Sequence, residues 1–266
     1  MSIAVLLGIG LLMGLFGGLL GIGGSIVMIP ALTFFYGEDQ HLYQAAAMIC
    51  NFFVAAASLI GHWKAEAFVF KALRLLIPAA VVGIVGGVAL SNSSLFAGGN
   101  SFWLARAFGA FLVYVAVYNL MKFRPKPSID AGSGRKEIAG LGWISGAIGL
   151  FTGFGAGLLG IGAGTVSTPL QQIALKMPLR NAMSNSAAMI VSMAWLGAIY
   201  KNATLGRHDI ELMQSLKIAV FVLPTAVLGG YLGGHLMHSL PKNIVRAAFI
   251  LLCIAAAVKL LTVKPG

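Results

Sequence analysis

Gly18 to Pro30 reads GLLGIGGSIVMIP, and 139 residues later Gly157 to Pro169 reads GLLGIGAGTVSTP, with eight of thirteen positions identical. Side chains this small offer little chemistry, so anything bound here is bound chiefly by the backbone. Glycine admits positive φ and close approach of other groups. An apolar helix can therefore stop at Gly21-Ile22-Gly23-Gly24, and another can begin at or after Ser25. That second helix would aim free N–H groups and a positive dipole end at the break, with the serine hydroxyl as cap or ligand. Gly160-Ile161-Gly162-Ala163-Gly164-Thr165 offers the same arrangement with Thr165. Two such ends meeting head to head make an anion site without a charged side chain. The plainer use of the same glycines is close helix packing. A dinucleotide fingerprint is excluded, because neither copy has the full glycine spacing, a preceding strand or a βαβ context.

The ionisable residues agree with an anion. The seven acidic residues, Glu38, Asp39, Glu66, Asp130, Glu137, Asp209 and Glu211, all fall in loops or at segment ends. Cation pathways place carboxylates inside the membrane, and none is found there. Arg106 and Arg246 recur at equivalent places near the start of apolar segments. They either snorkel to headgroups or act as paired anion attractors or gates. Asn51, and Ser184-Asn185-Ser186, lie inside apolar segments, where uncharged donors either bridge helices or line a pathway. His41, His62, His208, His235 and His238 sit at segment ends, with no metal-ligand spacing, no nucleophile–base pair and no cofactor motif. Cys50 and Cys253 read as buried packing. Trp63, Trp103 and Trp143 read as interfacial, and Trp195 as core.

The elements that must hold these groups follow from composition. Of 266 residues 59% are hydrophobic and 9% charged, and mean hydropathy is +0.92. A soluble domain carries roughly 25% charged residues. Ten apolar segments cover 2–20, 25–36, 43–62, 68–91, 102–123, 138–157, 163–176, 179–200, 210–235 and 242–262. Several reach the roughly 20 residues that cross a bilayer as helix, and they are too continuously apolar for barrel strands. The N-terminus lacks a basic leading region and an Ala-x-Ala site, and reads as a retained first helix. The net charge of +11 is positive-inside bias plus affinity for anionic lipid, not a nucleic-acid signal.

Further matches extend the duplication. Pro78, Ala80, Val81, Gly83 and Gly87 match Pro224, Ala226, Val227, Gly229 and Gly233 at offset 146. Arg106-Ala107 matches Arg246-Ala247 at offset 140, and Leu42, Ala45 and Lys64 match Leu179, Ala182 and Lys201 at offset 137. The chain thus divides into repeats 1–123 and 138–266 around a basic linker, 124–137. If segments 1 and 2 of each repeat form a hairpin, twelve of eighteen basic residues lie near the linker's face. The linker is then cytoplasmic and the halves are inverted. If each broken pair makes one crossing, the halves are parallel, with a bias of thirteen to five. Length favours the hairpin, since residues 2–36 as one helix would span roughly 50 Å against a core of about 30 Å. The expected fold is all-α integral membrane, with about 8–10 transmembrane or re-entrant helices in two homologous, inverted repeats.

A glycine motif ending in proline, once per half, with matched downstream halves and a basic linker, resembles the sulfite exporter TauE/SafE family, also called TSUP. The resemblance spans essentially the whole chain. It places Gly21, Gly23, Gly24 and Ser25, with Gly160, Gly162, Gly164 and Thr165, at the signature positions. Ser25 and Ala163 depart from the family's fuller glycine run. Ser184-Asn185-Ser186 resembles its small polar run, where the first copy has Ala47-Met48-Ile49-Cys50. The resemblance implies a bacterial inner-membrane, multi-pass carrier of sulfur anions such as sulfite, thiosulfate, sulfoacetate and other organosulfonates. It implies a small anionic substrate and lipid as partners, no cofactor, no metal and no enzymatic activity. The expected mechanism has one repeat rocking against the other around the breaks. An anion channel using the same helix ends is the alternative.

Overall fold

In lipid a backbone can satisfy its polar groups only internally, and continuous apolar runs do so as helices. The computed structural model describes residues 1–20, 23–64, 68–96, 100–121, 141–236 and 242–263. Among these lie α1 (Ile3–Leu20), α2 (Ser25–Tyr36), α3 (Gln40–Lys64), α4 (Phe70–Ser91), α5 (Phe102–Met121), α6 (Leu141–Leu159), α7 (Gly164–Ala174), α8 (Leu179–Ala203), α9 (Leu212–Leu236) and α10 (Lys242–Leu261). Short 3₁₀ turns cover Ser94–Phe96 and Leu205–His208. No strand occurs among the described residues. Six helices, α3, α4, α5, α6, α8 and α9, are long and apolar enough to cross a membrane. The outside is apolar as well: Phe151, Ile199, Val220, Leu228 and Val258 are all exposed, as a lipid-facing belt requires. The linker 124–137 lies outside the described residues.

The first break turns the chain back on itself. Gly24 packs against Met13 of α1, eleven residues earlier. A continuous helix would hold those residues roughly 16 Å apart. Residues 2–36 are therefore two helices folded on one another, and the reading of a single crossing is set aside. α7 likewise packs on α6.

Away from the breaks the glycines close helices together. Gly10 and Gly14 of α1 lie against the backbone of Val222 and Ala226 of α9, and Gly229 and Gly233 of α9 against Leu11 and Leu15 of α1. Gly149, Gly153 and Gly157 of α6 face Leu76, Ala80 and Ile84 of α4, while Gly83 and Gly87 of α4 face Leu150 and Phe154 of α6. Spacing of four puts each set on one helix face, and the absent side chains let backbones touch. Both pairs join a helix from one half of the chain to a helix from the other. α3 with α8 and α5 with α10 pair in the same way. One hydrophobic core gathers α1, α2, α3, α5, α9 and α10 with Leu159 of α6 and Val166 of α7, and the second gathers α4, α6 and α8 with Met48 and Ala55 of α3.

Cys50 and Cys253 are buried and unbonded, and Trp103 and Trp143 are exposed near helix starts. The side chain of Trp63 lies outside the described residues. Trp195 is a correction: it is 46% exposed, with its indole N–H donated to the Ser192 carbonyl at 2.9 Å. It stands on the outer face of α8, not in the core.

Candidate functional site

The two breaks meet. Gly23 (φ 81°) lies so close that a Cβ added to it would stand 2.8 Å from the Cα of Gly162. The Gly162 N–H donates to the Ser25 hydroxyl at 2.9 Å. The Ser25 N–H, at the start of α2, donates to Asn51 Oδ1 of α3 at 3.2 Å. Thr165, one residue into α7, donates its hydroxyl to the Gly162 carbonyl at 3.1 Å. Both helices restart at the expected places, and Ser25, Asn51, Thr165, Gly23, Gly24, Gly162 and Gly164 are all buried. Ser25 thus does not cap its own helix, since its oxygen serves the other break. Two amides at the meeting point, those of Ser25 and Gly162, have protein oxygens as acceptors. Gly160 (φ 71°) faces a different neighbour: a Cβ there would stand 2.7 Å from Cγ of Gln44. Gly21 lies outside the described residues.

Ser184, Asn185 and Ser186 belong to an adjoining network on α7 and α8. Gln171 Nε2 donates to Ser167 Oγ at 2.6 Å and to Ser186 Oγ at 3.2 Å, and its Oε1 accepts from Asn185 Nδ2 at 3.2 Å. Thr168 and Ser186 share a hydrogen bond of 3.0 Å. Asn185 Oδ1 accepts the Val69 N–H at 3.0 Å, which ties α8 to the start of α4. The Ser184 hydroxyl turns back to the Arg180 carbonyl. Gln171, Ser167 and Thr168 escaped the sequence reading, although three polar residues within five positions of an apolar segment are a usable signal.

Arg106 does not join the breaks. Its Nη2 donates to the Val263 carbonyl at 3.3 Å, and its guanidinium stacks over Phe102 and Trp103. It ties the start of α5 to the end of α10. The side chain of Arg246 lies outside the described residues.

A second polar cluster, also missed, stands where α3 begins and α4 and α8 end. Lys201 is 0% exposed, and its ammonium donates to Ser91 Oγ at 2.7 Å, Asn92 Oδ1 at 2.8 Å and His41 Nδ1 at 2.9 Å. An ammonium at Nδ1 makes that nitrogen the acceptor, leaving Nε2–H to donate to the Phe96 carbonyl at 3.0 Å. His208 stacks on His41 with ring centroids 3.6 Å apart. Burial, then the charges of Lys201 and Arg207, hold His208 below the ordinary imidazole range, against an opposing pull from Asp209. Asp39, just before α3, is pushed up by burial despite accepting the Leu42 N–H. The match of Lys64 with Lys201 was visible in the sequence, but a lysine near a segment end reads there as membrane-surface charge. No group of three or more metal-ligating side chains occurs among the described residues.

The family model described as Sulfite exporter TauE/SafE matches residues 6–260. The chain is 25% identical to the Probable membrane transporter protein MamO of Magnetospirillum gryphiswaldense, over 98% of this chain and 45% of that protein. It is 26% identical to a Probable membrane transporter protein of Xylella fastidiosa, over 97% of this chain and 94% of that one. Identity to the Probable membrane transporter protein YunE of Bacillus subtilis is also 26%, over 95% of each. The chain therefore spans about half the length of MamO and nearly all of the other two. No solved structure matches the chain.

Proposed function

The chain belongs to the sulfite exporter TauE/SafE family of membrane transporters, and we propose that it is a secondary carrier of small sulfur-containing anions in a bacterial inner membrane. Sulfite, thiosulfate and organosulfonates such as sulfoacetate are the substrates in view. The anionic group binds where the breaks meet, among Gly23, Gly24, Ser25, Asn51, Gly162, Gly164 and Thr165, with Ser184, Asn185 and Ser186 alongside. Alternating access exposes that place to each side of the membrane in turn, with the 124–137 linker in the cytoplasm.

One observation carries this reading: the Gly162 amide is held by the oxygen of Ser25, and the Ser25 amide by the oxygen of Asn51. Amides at helix starts favour oxygens bearing negative charge; that of Ser25 begins α2, and that of Gly162 lies two residues before α7. The two protein oxygens stand where those of a sulfonate or sulfite would stand, and an entering anion exchanges with them. Ser25 then turns its O–H toward the anion.

Counterflow of labelled thiosulfate, sulfite and sulfoacetate in proteoliposomes tests the reading. Saturable exchange is expected for at least one of them. Ser25→Ala is expected to raise KM about tenfold, or about 1.4 kcal/mol, the size of one hydrogen bond to a charged group. Flux that is linear in concentration, with no exchange, shows a channel. Unchanged KM in Ser25→Ala removes the breaks from the site.

A further inference from the structure

We propose that Lys201 and His41 form the proton-binding site that couples this carrier to a pH gradient. The proposal rests on the carrier reading above and adds its coupling ion. A buried ammonium ordinarily has a carboxylate beside it. The three partners of Lys201 are instead an imidazole, a hydroxyl and an amide oxygen. In the nitrogen-to-nitrogen hydrogen bond of 2.9 Å one hydrogen bridges the pair: an amine or ammonium donates to a neutral imidazole, or an imidazolium donates to a neutral amine, so the contact accommodates one excess proton and not two. A second proton places two cations in contact, and the pair must part. Proton uptake and a change of contact between α3 and α8 are thus one event.

The surroundings supply a route and an output. His208 lies against His41, half-buried, on a turn whose Gly206 and Arg207 are exposed. Both its ring nitrogens are buried without a partner among the described residues. The other charged groups on these segments among the described residues are Arg207 and Asp209 on that turn, Glu211 before α9, and Glu38 and Asp39 before α3. α4 contributes the neutral Ser91, its last residue, and Asn92, which follows it. On the inner side, Ser91 Oγ donates to Gln44 Oε1 at 3.2 Å, and Gln44 Nε2 donates to the Leu158 carbonyl at 3.3 Å. Gln44 also covers Gly160 of the second break. When the pair takes a second proton, Lys201 loosens from Ser91, and the change reaches the break through Gln44.

The test uses the full chain in proteoliposomes with a trapped pH-sensitive dye and whichever of the three anions gives counterflow. In the wild type, an imposed pH gradient is expected to drive net anion movement, and an anion gradient to move protons. Lys201→Met and His41→Asn are expected to lose gradient-driven accumulation at least tenfold, while anion-for-anion exchange stays within about twofold. Exchange without proton movement in the wild type overturns the proposal and leaves the carrier reading standing. So do variants that keep gradient-driven accumulation, or that lose exchange and accumulation in equal proportion. If Lys201→Met is not monodisperse, His41→Asn decides by the same criteria. Absence of counterflow for all three anions overturns the carrier reading and this proposal with it.

Discussion

Gly23 and Gly162 occupy the same position in the two motif copies, and they touch each other in the buried interior. Gly23 has φ 81° and no room for a Cβ on its Gly162 side. A left-handed non-glycine residue costs about 1–3 kcal/mol, and the steric conflict adds to it. Gly23→Ala is therefore expected to lower the apparent melting temperature in detergent by several degrees, before any effect on transport. An unchanged melting temperature would show that the breaks separate easily.

The glycines of α6 provide an internal control. Gly153 faces the backbone of Ala80, whereas a Cβ at Gly155 meets nothing within 4 Å. Gly153→Ala forces α6 from α4 and is expected to destabilise by about 1–3 kcal/mol. Gly155→Ala is expected to stabilise by about 0.5–1 kcal/mol, because alanine restricts the unfolded chain more than glycine does. Thermal unfolding of the two variants side by side checks both, and equal shifts would contradict the packing.

Gln171 is fully buried and serves Ser167, Asn185 and Ser186. Gln171→Leu keeps the bulk but strips those groups of a partner, at about 1–3 kcal/mol for a buried group left unsatisfied. Replacing Ser167 as well, in Gln171→Leu/Ser167→Ala, is expected to recover part of that loss. A double-mutant cycle on apparent stability measures the recovery, and strict additivity would refute the network.

His208 makes stability sensitive to acid. Above about pH 6.5 both the folded and the unfolded chain hold this imidazole neutral. As pH falls through that value, the unfolded chain takes up a proton that the folded chain resists, so stability declines. The apparent melting temperature is expected to fall from pH 7 to pH 5. His208→Phe, which keeps a ring against His41, is expected to flatten the fall. An equal slope in the variant would clear His208 of the effect.

Much of the fold was legible because lipid reduces the problem to apolar length and punctuation. All ten segments are helices among the described residues, and α2 begins at Ser25 as the glycine break requires. The spacing of Gly10 with Gly14, or Gly149 with Gly153, was equally visible in the sequence, but not which helix each would face. At the candidate site, Ser25 and Asn51 were legible as polar residues in apolar company. Lys201 and His41 were not. They are 160 residues apart, each reads alone as a segment-end polar group, and only tertiary packing makes them a pair. Trp195 failed for a related reason, since apolar surroundings in sequence do not tell a core face from one turned to lipid.

α1 is clasped along its glycines by α9, and α6 by α4. The boundary between the two halves of the sequence is therefore not a boundary in the folded object. Fragments severed in the linker would each display a bare glycine groove whose filling resides in the other fragment, and they would fold together or not at all. By the same token, any body that moves about Gly23 and Gly162 is a composite one, assembled from both ends of the polypeptide.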